Sequence, residues 1–422
     1  LENNLALKQQ EFALGQSMEA LKQARGMFLP SVSIDARYSR AGGGRMIDIP
    51  IGDLMNPVYG TLNELLASVG REPMFPASIP NESIPFLREE EHETKIRVVQ
   101  PIFQPAVLYN YKLKSSLKNA KHAEIETFKQ QLTADIKTAY FNYLKAVHVV
   151  ELYTKTKQLL EENLRVSRSL FENSKATEDV VFRAEAELAE LEQKQAEAEK
   201  DQKLAAAYFN FLLNRPLQEN IIRIEDDAHV HNFALDQGES IERALENRPE
   251  FRQLKHAVDA AQNGIRLSKT SFVPNVVGVI DYGYQGEKYW FTEKDDFWMA
   301  SAVLSWNLFN GGQDRAKHQQ AVLRKREVET RFIELQQQVK LQVQEAYDAV
   351  KVAAKVLVST EKRVNSARKS FNIVNKKYKQ GMAPHIEYLN ARTTLTNAGI
   401  AHIIARFDYQ IKIAELEKAA AL

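Results

Sequence analysis

Phe272-Val273-Pro274-Asn275-Val276-Val277-Gly278-Val279-Ile280-Asp281-Tyr282-Gly283-Tyr284-Gln285 decides the fold, because its opening is a strand entry that the chain uses twice. Phe28-Leu29-Pro30-Ser31-Val32 repeats the first five positions, and Leu1-Glu2-Asn3 returns as Leu245-Glu246-Asn247. Both pairs lie 244 positions apart, 274 minus 30 and 245 minus 1. Further on, Phe103-Gln104 matches Phe309-Asn310. Phe171, Ala176, Ala184 and Leu188 match Tyr378, Ala383, Ala391 and Leu395 at an offset of 207, 378 minus 171. The order is kept while one intervening segment shortens. A period of about 200 residues is too long for a solenoid, whose repeats run roughly 20–50. The chain is a duplicated domain.

Each copy carries two stretches of period two, which is the signature of a strand. Val276, Ile280, Tyr282 and Tyr284 share one face of the quoted stretch, and Trp298, Ala300, Ala302, Leu304 and Trp306 share one face of the next, with Ser301 and Ser305 opposite. In the first copy Val32, Ile34, Ala36 and Tyr38 alternate with Ser33, Asp35, Arg37 and Ser39, and Ile96, Val98 and Ile102 stand opposite Lys95 and Arg97. Each stretch is about ten residues long, enough for a tilted transmembrane β-strand. Aromatic residues crowd the ends, among them Tyr289, Trp290, Phe291, Phe297 and Phe309, as in a bilayer-interface belt. One face of a soluble sandwich remains the alternative for the strands alone. Four strands cannot close a barrel, which needs about eight, so closure in a membrane requires several chains.

Between the strands lie helices with a coiled-coil seam. Val343, Ala346, Val350, Ala353, Leu357, Thr360, Val364, Ala367, Phe371, Val374 and Tyr378 step by threes and fours. The first copy repeats the register from Ile136 through Ala139, Tyr143, Ala146, Val150, Tyr153, Leu160 and Leu164 to Phe171, with Lys157 and Ser167 as polar interruptions. Helices from about 107 to 171 and 314 to 378 would each run on the order of 100 Å.

Composition removes most other functions. The 422 residues hold 56 Lys+Arg against 55 Asp+Glu, a net charge of +1, so the field that nucleic acid would need is missing. Zero cysteines exclude disulfides, thiolate zinc sites and Cys nucleophiles. No apolar run reaches the roughly 20 residues of a spanning helix, which leaves a β-barrel open. HExxH, GxSxG and nucleotide fingerprints are absent, and Gly42-Gly43-Gly44 lacks a phosphate-loop continuation. His229-Val230-His231 reads as a solvated loop rather than a metal site. No catalytic, cofactor or metal residue is assigned, and no enzyme is expected. Leu1-Glu2-Asn3-Asn4 reads as helix interior, so any signal peptide or lipidated N-terminus is expected upstream.

In these features the chain resembles the TolC family of bacterial outer-membrane efflux factors. The resemblance rests on the two strand entries, on the strand exit Ser305-Trp306-Asn307-Leu308-Phe309-Asn310-Gly311-Gly312, and on two helix-hairpin turns. These turns are Phe171-Glu172-Asn173-Ser174-Lys175-Ala176-Thr177-Glu178-Asp179-Val180 and Tyr378-Lys379-Gln380-Gly381-Met382-Ala383-Pro384-His385-Ile386-Glu387. The resemblance implies a mainly α protein with a β-barrel part: three protomers sharing a twelve-stranded barrel that continues as a periplasmic α-helical tunnel. It implies a homotrimer in outer-membrane lipid, working with a periplasmic adaptor and an inner-membrane transporter to pass small molecules or proteins outward, without cofactors. A tyrosine matching Tyr378 holds the family's closed entrance, together with an arginine two residues past the turn glycine, where this chain has Ala383.

The implied entrance residues are Tyr378, Glu387, Asp179 and Phe171, although helix N-terminal charge would account for Glu387 and Asp179, and seam packing for Tyr378 and Phe171. The implied adaptor-docking turns are Ser174, Lys175, Ala176 and Thr177, and Gly381, Met382, Ala383 and Pro384. Trp298, Leu304 and Trp306 are expected to face lipid. Because Ser174 stands where glycine is usual, the first turn is expected to be wider or differently capped. The expected divisions are a first repeat, 1–214, with strands near 31–40 and 94–103 and helices near 107–171 and 177–214. A linker at 215–239, which the family uses for an equatorial collar, precedes a second repeat, 240–422, with strands near 275–285 and 297–307 and helices near 314–378 and 385–418. Residues 41 to about 91, rich in Pro and Gly, are expected to be a long loop. The rival reading is a soluble coiled-coil structural or tethering protein.

Overall fold

The computed structural model describes residues 1–223 and 236–422, so His229-Val230-His231 lies outside the described residues. The elements in chain order are α1 (Leu5–Gly26), β1 (Ser31–Arg40), β2 (Met46–Ile49), α2 (Ile51–Ser68), β3 (Glu82–Pro85), β4 (Glu90–Phe103), α3 (Pro105–Glu172), α4 (Glu178–Leu212), α5 (Gln237–Asn247), α6 (Pro249–Lys269), β5 (Asn275–Gly286), β6 (Asp296–Ser305), α7 (Gln313–Lys379) and α8 (His385–Ala420). They fall into a helical unit, Leu1–Lys22, Asn110–Ser268 and Arg315–Leu422, and a sheet unit, Gln23–Tyr109 and Lys269–Asp314.

In the helical unit the duplication is a duplication of packing. Leu7 of α1 is buried with Ile125, Leu132 and Ala139 of α3 and Phe209 and Leu212 of α4. In the second copy Ala244 of α5 and Phe251 of α6 are buried with Val339, Val343 and Val350 of α7 and Tyr409, Ile413 and Leu416 of α8. Helices of 68 and 67 residues need this lateral burial, because helical propensity alone stabilises a long polar helix weakly. Most of the second seam is as the spacing predicts: Val343, Val350, Val364, Ala367, Phe371 and Val374 are buried. The first seam drifts. Toward the end of α3 the buried residues are Thr156, Leu160, Asn163 and Ser167, and Phe171 is 42% exposed instead of seated in the seam. Asn163 is buried where the apolar pattern placed its neighbour Leu164, while Ser167, a polar interruption that the pattern already carried, keeps its seam position.

In the sheet unit the order is β1-β4-β5-β6 with every neighbouring pair antiparallel, so the two repeats meet where β4 of the first pairs with β5 of the second. β4 begins at Glu90, ahead of the expected 94, because its ladder with β1 continues to Arg40 opposite Glu90. β6 ends at Ser305. Trp306 lies just past it, and its indole Nε1 donates to the Phe272 carbonyl at 3.3 Å. A bulge between Pro101 and Phe103 absorbs the one proline in the β4–β5 ladder.

The stretch 41–91 corrects the sequence reading, for it is an ordered excursion rather than a loop. β2 and β3 form a two-stranded ribbon, and α2 fills its tip. Asparagine side chains supply the hydrogen bonds that a second strand would otherwise make. Asn56 accepts from the Ile79 amide at 2.8 Å and donates to its carbonyl at 3.0 Å, and Asn63 does the same for Phe75 at 3.1 and 3.0 Å. Gly52 is required at the start of α2, since a Cβ there would lie 2.2 Å from the Ile79 carbonyl oxygen. Hydropathy carries no trace of such side-chain clamps.

Candidate functional site

Register and alternation sort the sheet into two faces. One carries Val32, Ile34, Ala36 and Tyr38 of β1, Ile96 and Val98 of β4, Val276, Ile280 and Tyr282 of β5, and Trp298, Ala300, Ala302 and Leu304 of β6. Its large side chains are exposed, Trp298 at 76% and Leu304 at 64%. A contiguous apolar surface of this kind on one chain marks contact with lipid or another protein. Trp298 and Trp306 stand eight residues apart, about 27 Å along the chain, which for strands tilted about 35–45° spans roughly 20 Å of an apolar band about 25 Å tall. Aromatic rings gather near the Trp298 end. His92 stacks on Tyr289 with centroids 4.3 Å apart, Tyr38 stacks on Tyr289 at 6.1 Å, and Tyr284 meets Phe291 edge-on at 5.2 Å.

The opposite face carries charge. Asp281 of β5 is fully buried and accepts two hydrogen bonds from Arg97 of β4, through Nε and Nη2, each 2.8 Å. Lys95 lies 3.9 Å from Asp281 and 2.5 Å from Glu93, while Arg37 of β1 approaches Glu93 at 3.6 Å. The bidentate pair crosses the junction between the repeats, and removing one partner would strand a buried charge. β6 adds Met299, Ser301 and Val303 to this face. Neither β1 nor β6 has a strand on its outer edge among the described residues.

The two helix turns have the same geometry, which overturns the expectation of a wider first turn. Ser174 has φ 58° and Gly381 φ 72°, both left-handed. Ser174 donates its amide to the Phe171 carbonyl at 2.8 Å and Lys175 donates to Leu170 at 2.8 Å. The second turn repeats this with Gly381 to Tyr378 at 2.9 Å and Met382 to Lys377 at 2.8 Å. Both follow the Schellman pattern, in which a residue of positive φ lets two amides reach back to the last carbonyls. Serine adopts the strained angle because the six-to-one hydrogen bond and the following helix hold it there. Lys175, Thr177 and Met382 are exposed and Ala383 is buried.

Around these turns the predicted entrance residues separate into distinct environments. Tyr378 stacks on Tyr388, centroids 4.9 Å apart, within a cluster that buries Phe371, Val374 and Leu389. Phe171, its counterpart, has no such cover. Asp179 sits in the first turn of α4, accepts from the Thr177 hydroxyl, and lies 3.4 Å from Arg183. Glu387 sits in the first turn of α8, exposed and with no side-chain partner among the described residues.

Sequence reasoning missed a buried polar layer just inside the turns. His385 Nε2 is 3.1 Å from Asn163 Oδ1, and Arg392 donates through Nη2 to Glu187. Asn163, Ser167, His385 and Arg392 are all buried. The Tyr378 hydroxyl, Ser167 Oγ, His385 Nδ1 and two Arg392 nitrogens have no hydrogen-bond partner among the described residues. Burial pushes the His385 imidazole below its ordinary range, helped by Arg183 and Arg392 and opposed by Asp179. Burial also pushes the Glu187 carboxyl up, outweighing Arg392. The available signal was the spacing of Asn163 and Ser167, four apart on one face of an otherwise apolar seam. No group of three or more His, Cys, Asp or Glu suited to a metal occurs among the described residues, and none of the described helices is long and apolar enough to cross a membrane.

Comparison with known proteins agrees with this geometry. Residues 240–422 match the family model described as outer membrane efflux protein. The chain is 22% identical over 327 residues to alkaline protease secretion protein AprF of Pseudomonas aeruginosa, covering 76% of this chain and 67% of that one. Among solved structures, CusC superposes with a TM-score of 0.81 at 13% identity, covering 100% of this chain and 90% of that one. The outer membrane protein VceC of Vibrio cholerae superposes with a TM-score of 0.77 at 15% identity, covering 100% and 93%. The fold is that of these channels: long helices with a strand part.

Proposed function

We propose, from the match of residues 240–422 to the outer membrane efflux protein family model and from the similarity to AprF, that this chain is the outer-membrane channel-tunnel of an efflux or type I secretion system. Three copies close a twelve-stranded barrel, each contributing four strands, with β1 of one protomer completing β6 of the next. The apolar face of the sheet meets lipid, and the face of Arg97, Asp281 and Lys95 lines the lumen. The long helices of the three copies form the periplasmic tunnel, and the turns at Ser174–Thr177 and Gly381–Pro384 receive the hairpin of a periplasmic adaptor bound to an inner-membrane transporter. The channel is a passive conduit; cargo is chosen upstream of it.

At the entrance Glu387 supplies the acidic ring. Asp179 contributes less, because Arg183 offsets its charge. The observation that carries the reading is the sheet: one exposed apolar face, one charged face, and two unfilled edges. A soluble coiled-coil protein would have no use for that combination. The test is fractionation followed by reconstitution. The protein should require detergent for extraction from the outer membrane and should open pores in planar bilayers. A protein soluble without detergent and silent in bilayers would end the reading.

A further inference from the structure

The helical unit holds its two hairpins together, near their turns, with polar groups rather than apolar ones. Asn163 belongs to α3 and His385 to α8, so their 3.1 Å contact links one hairpin to the other. Arg392 to Glu187 is a second link, from α8 to α4. The groups facing His385 are Asn163 of α3, Asp179 and Arg183 of α4, Tyr378 of α7, and Tyr388 and Arg392 of α8. Its ring lies 5.6 Å from that of Tyr378, the residue expected to hold the entrance. A second proton would go to Nδ1, a buried nitrogen with no acceptor beside it, and would add charge next to two guanidinium groups.

We propose that His385 and Asn163 form an acid-released latch between the α3–α4 and α7–α8 hairpins, which loosens the entrance when the imidazole takes up a proton. The latch rests on the geometry of the helical unit, and on the channel reading only for its conductance readout. The packed state holds the neutral ring, and the loosened state exposes it to water, where an imidazole titrates near pH 6.5. Acid therefore leaves the latch intact above about pH 6.5 and weakens it progressively below. Glu187 answers in the opposite sense, because protonation there removes a buried charge and favours the packed state. A variant at His385 separates the two.

The experiment compares wild type with His385→Gln and Asn163→Asp in planar bilayers between pH 7.5 and 5.5. Glutamine can still donate to Asn163 but cannot titrate, while an aspartate opposite the imidazole would hold its proton. Wild-type open probability should rise several-fold on acidification and by no more than about tenfold, the limit set by an exposed imidazole that holds about ten protonated rings to one neutral at pH 5.5. The rise should vanish in His385→Gln and reverse in Asn163→Asp. In parallel, amide hydrogen exchange of residues 163–180 and 378–392, corrected for intrinsic rates, should show protection lost below about pH 6.5 in wild type and kept in His385→Gln. An acid response unchanged by His385→Gln, or absent from wild type in both measurements, overturns the latch. Acid-dependent exchange in a protein that opens no pore would leave the latch standing and overturn the channel reading instead.

Discussion

Ser174 and Gly381 occupy the same left-handed position with different freedom to do so. An L residue with a Cβ costs about 1–2 kcal/mol in that conformation, while glycine enters it without strain. Ser174→Gly should therefore stabilise the first turn by about 1 kcal/mol, reduced somewhat by the greater unfolded-state entropy of glycine. Gly381→Val should destabilise the second turn by at least as much. Melting temperatures in detergent check both, and equal values for wild type and Ser174→Gly would mean that the serine is unstrained. At the proposed acidic ring the two carboxylates should differ. Glu387→Gln should lower the cation preference of single channels, and Asp179→Asn should leave it nearly unchanged because Arg183 already offsets that charge. Reversal potentials in asymmetric salt decide the matter, and an unchanged value for Glu387→Gln would return that residue to an ordinary helix N-terminal charge. Tyr378 and Gly381 were legible as turn residues because the turn repeats. Asn163, Glu187, His385 and Arg392 were not, since their meeting depends on which faces of four helices converge.

Among the elements, β6 offers the sharpest contrast between faces. Leu304 pairs with Val276 on the apolar face, and Ser301 pairs with Val279 on the other. A charge placed in lipid near mid-bilayer costs about 2–4 kcal/mol, whereas one in an aqueous lumen costs little. Leu304→Arg should therefore reduce assembled protein in the membrane, while Ser301→Arg should assemble normally. Equal assembly of the two would mean that the faces are assigned the wrong way round. The strands and long helices were readable because period two and period three-to-four survive in any register. The α2 segment was not: its order comes from Asn56 and Asn63 bonding to backbone 23 and 12 residues away, and no local pattern records such a bond. The seam of α3 departs from its pattern near its end for a related reason: Asn163 is buried against His385 of α8, where the spacing had placed Leu164.

For the whole molecule the edges of β1 and β6, unfilled among the described residues, carry the proposed trimer. An exposed strand edge invites pairing, and a sheet of four closes only when other copies supply the missing strands. Native mass in a mild detergent should give three times 48.1 kDa, about 144 kDa of protein, and a monomer or dimer would refute the shared barrel. By itself the sequence determined the duplication, the alternation of strand and coiled-coil periods, the apolar face of the sheet and the positions of both turns. Each of these is a periodic or repeated feature, written along the chain. Tertiary structure alone decided the pairing of β4 with β5 and the bidentate Arg97–Asp281 bond across the repeats. It also decided the polar layer around His385. These depend on residues as far as 222 positions apart coming within hydrogen-bond distance, and the position of one partner in a sequence carries no information about the other.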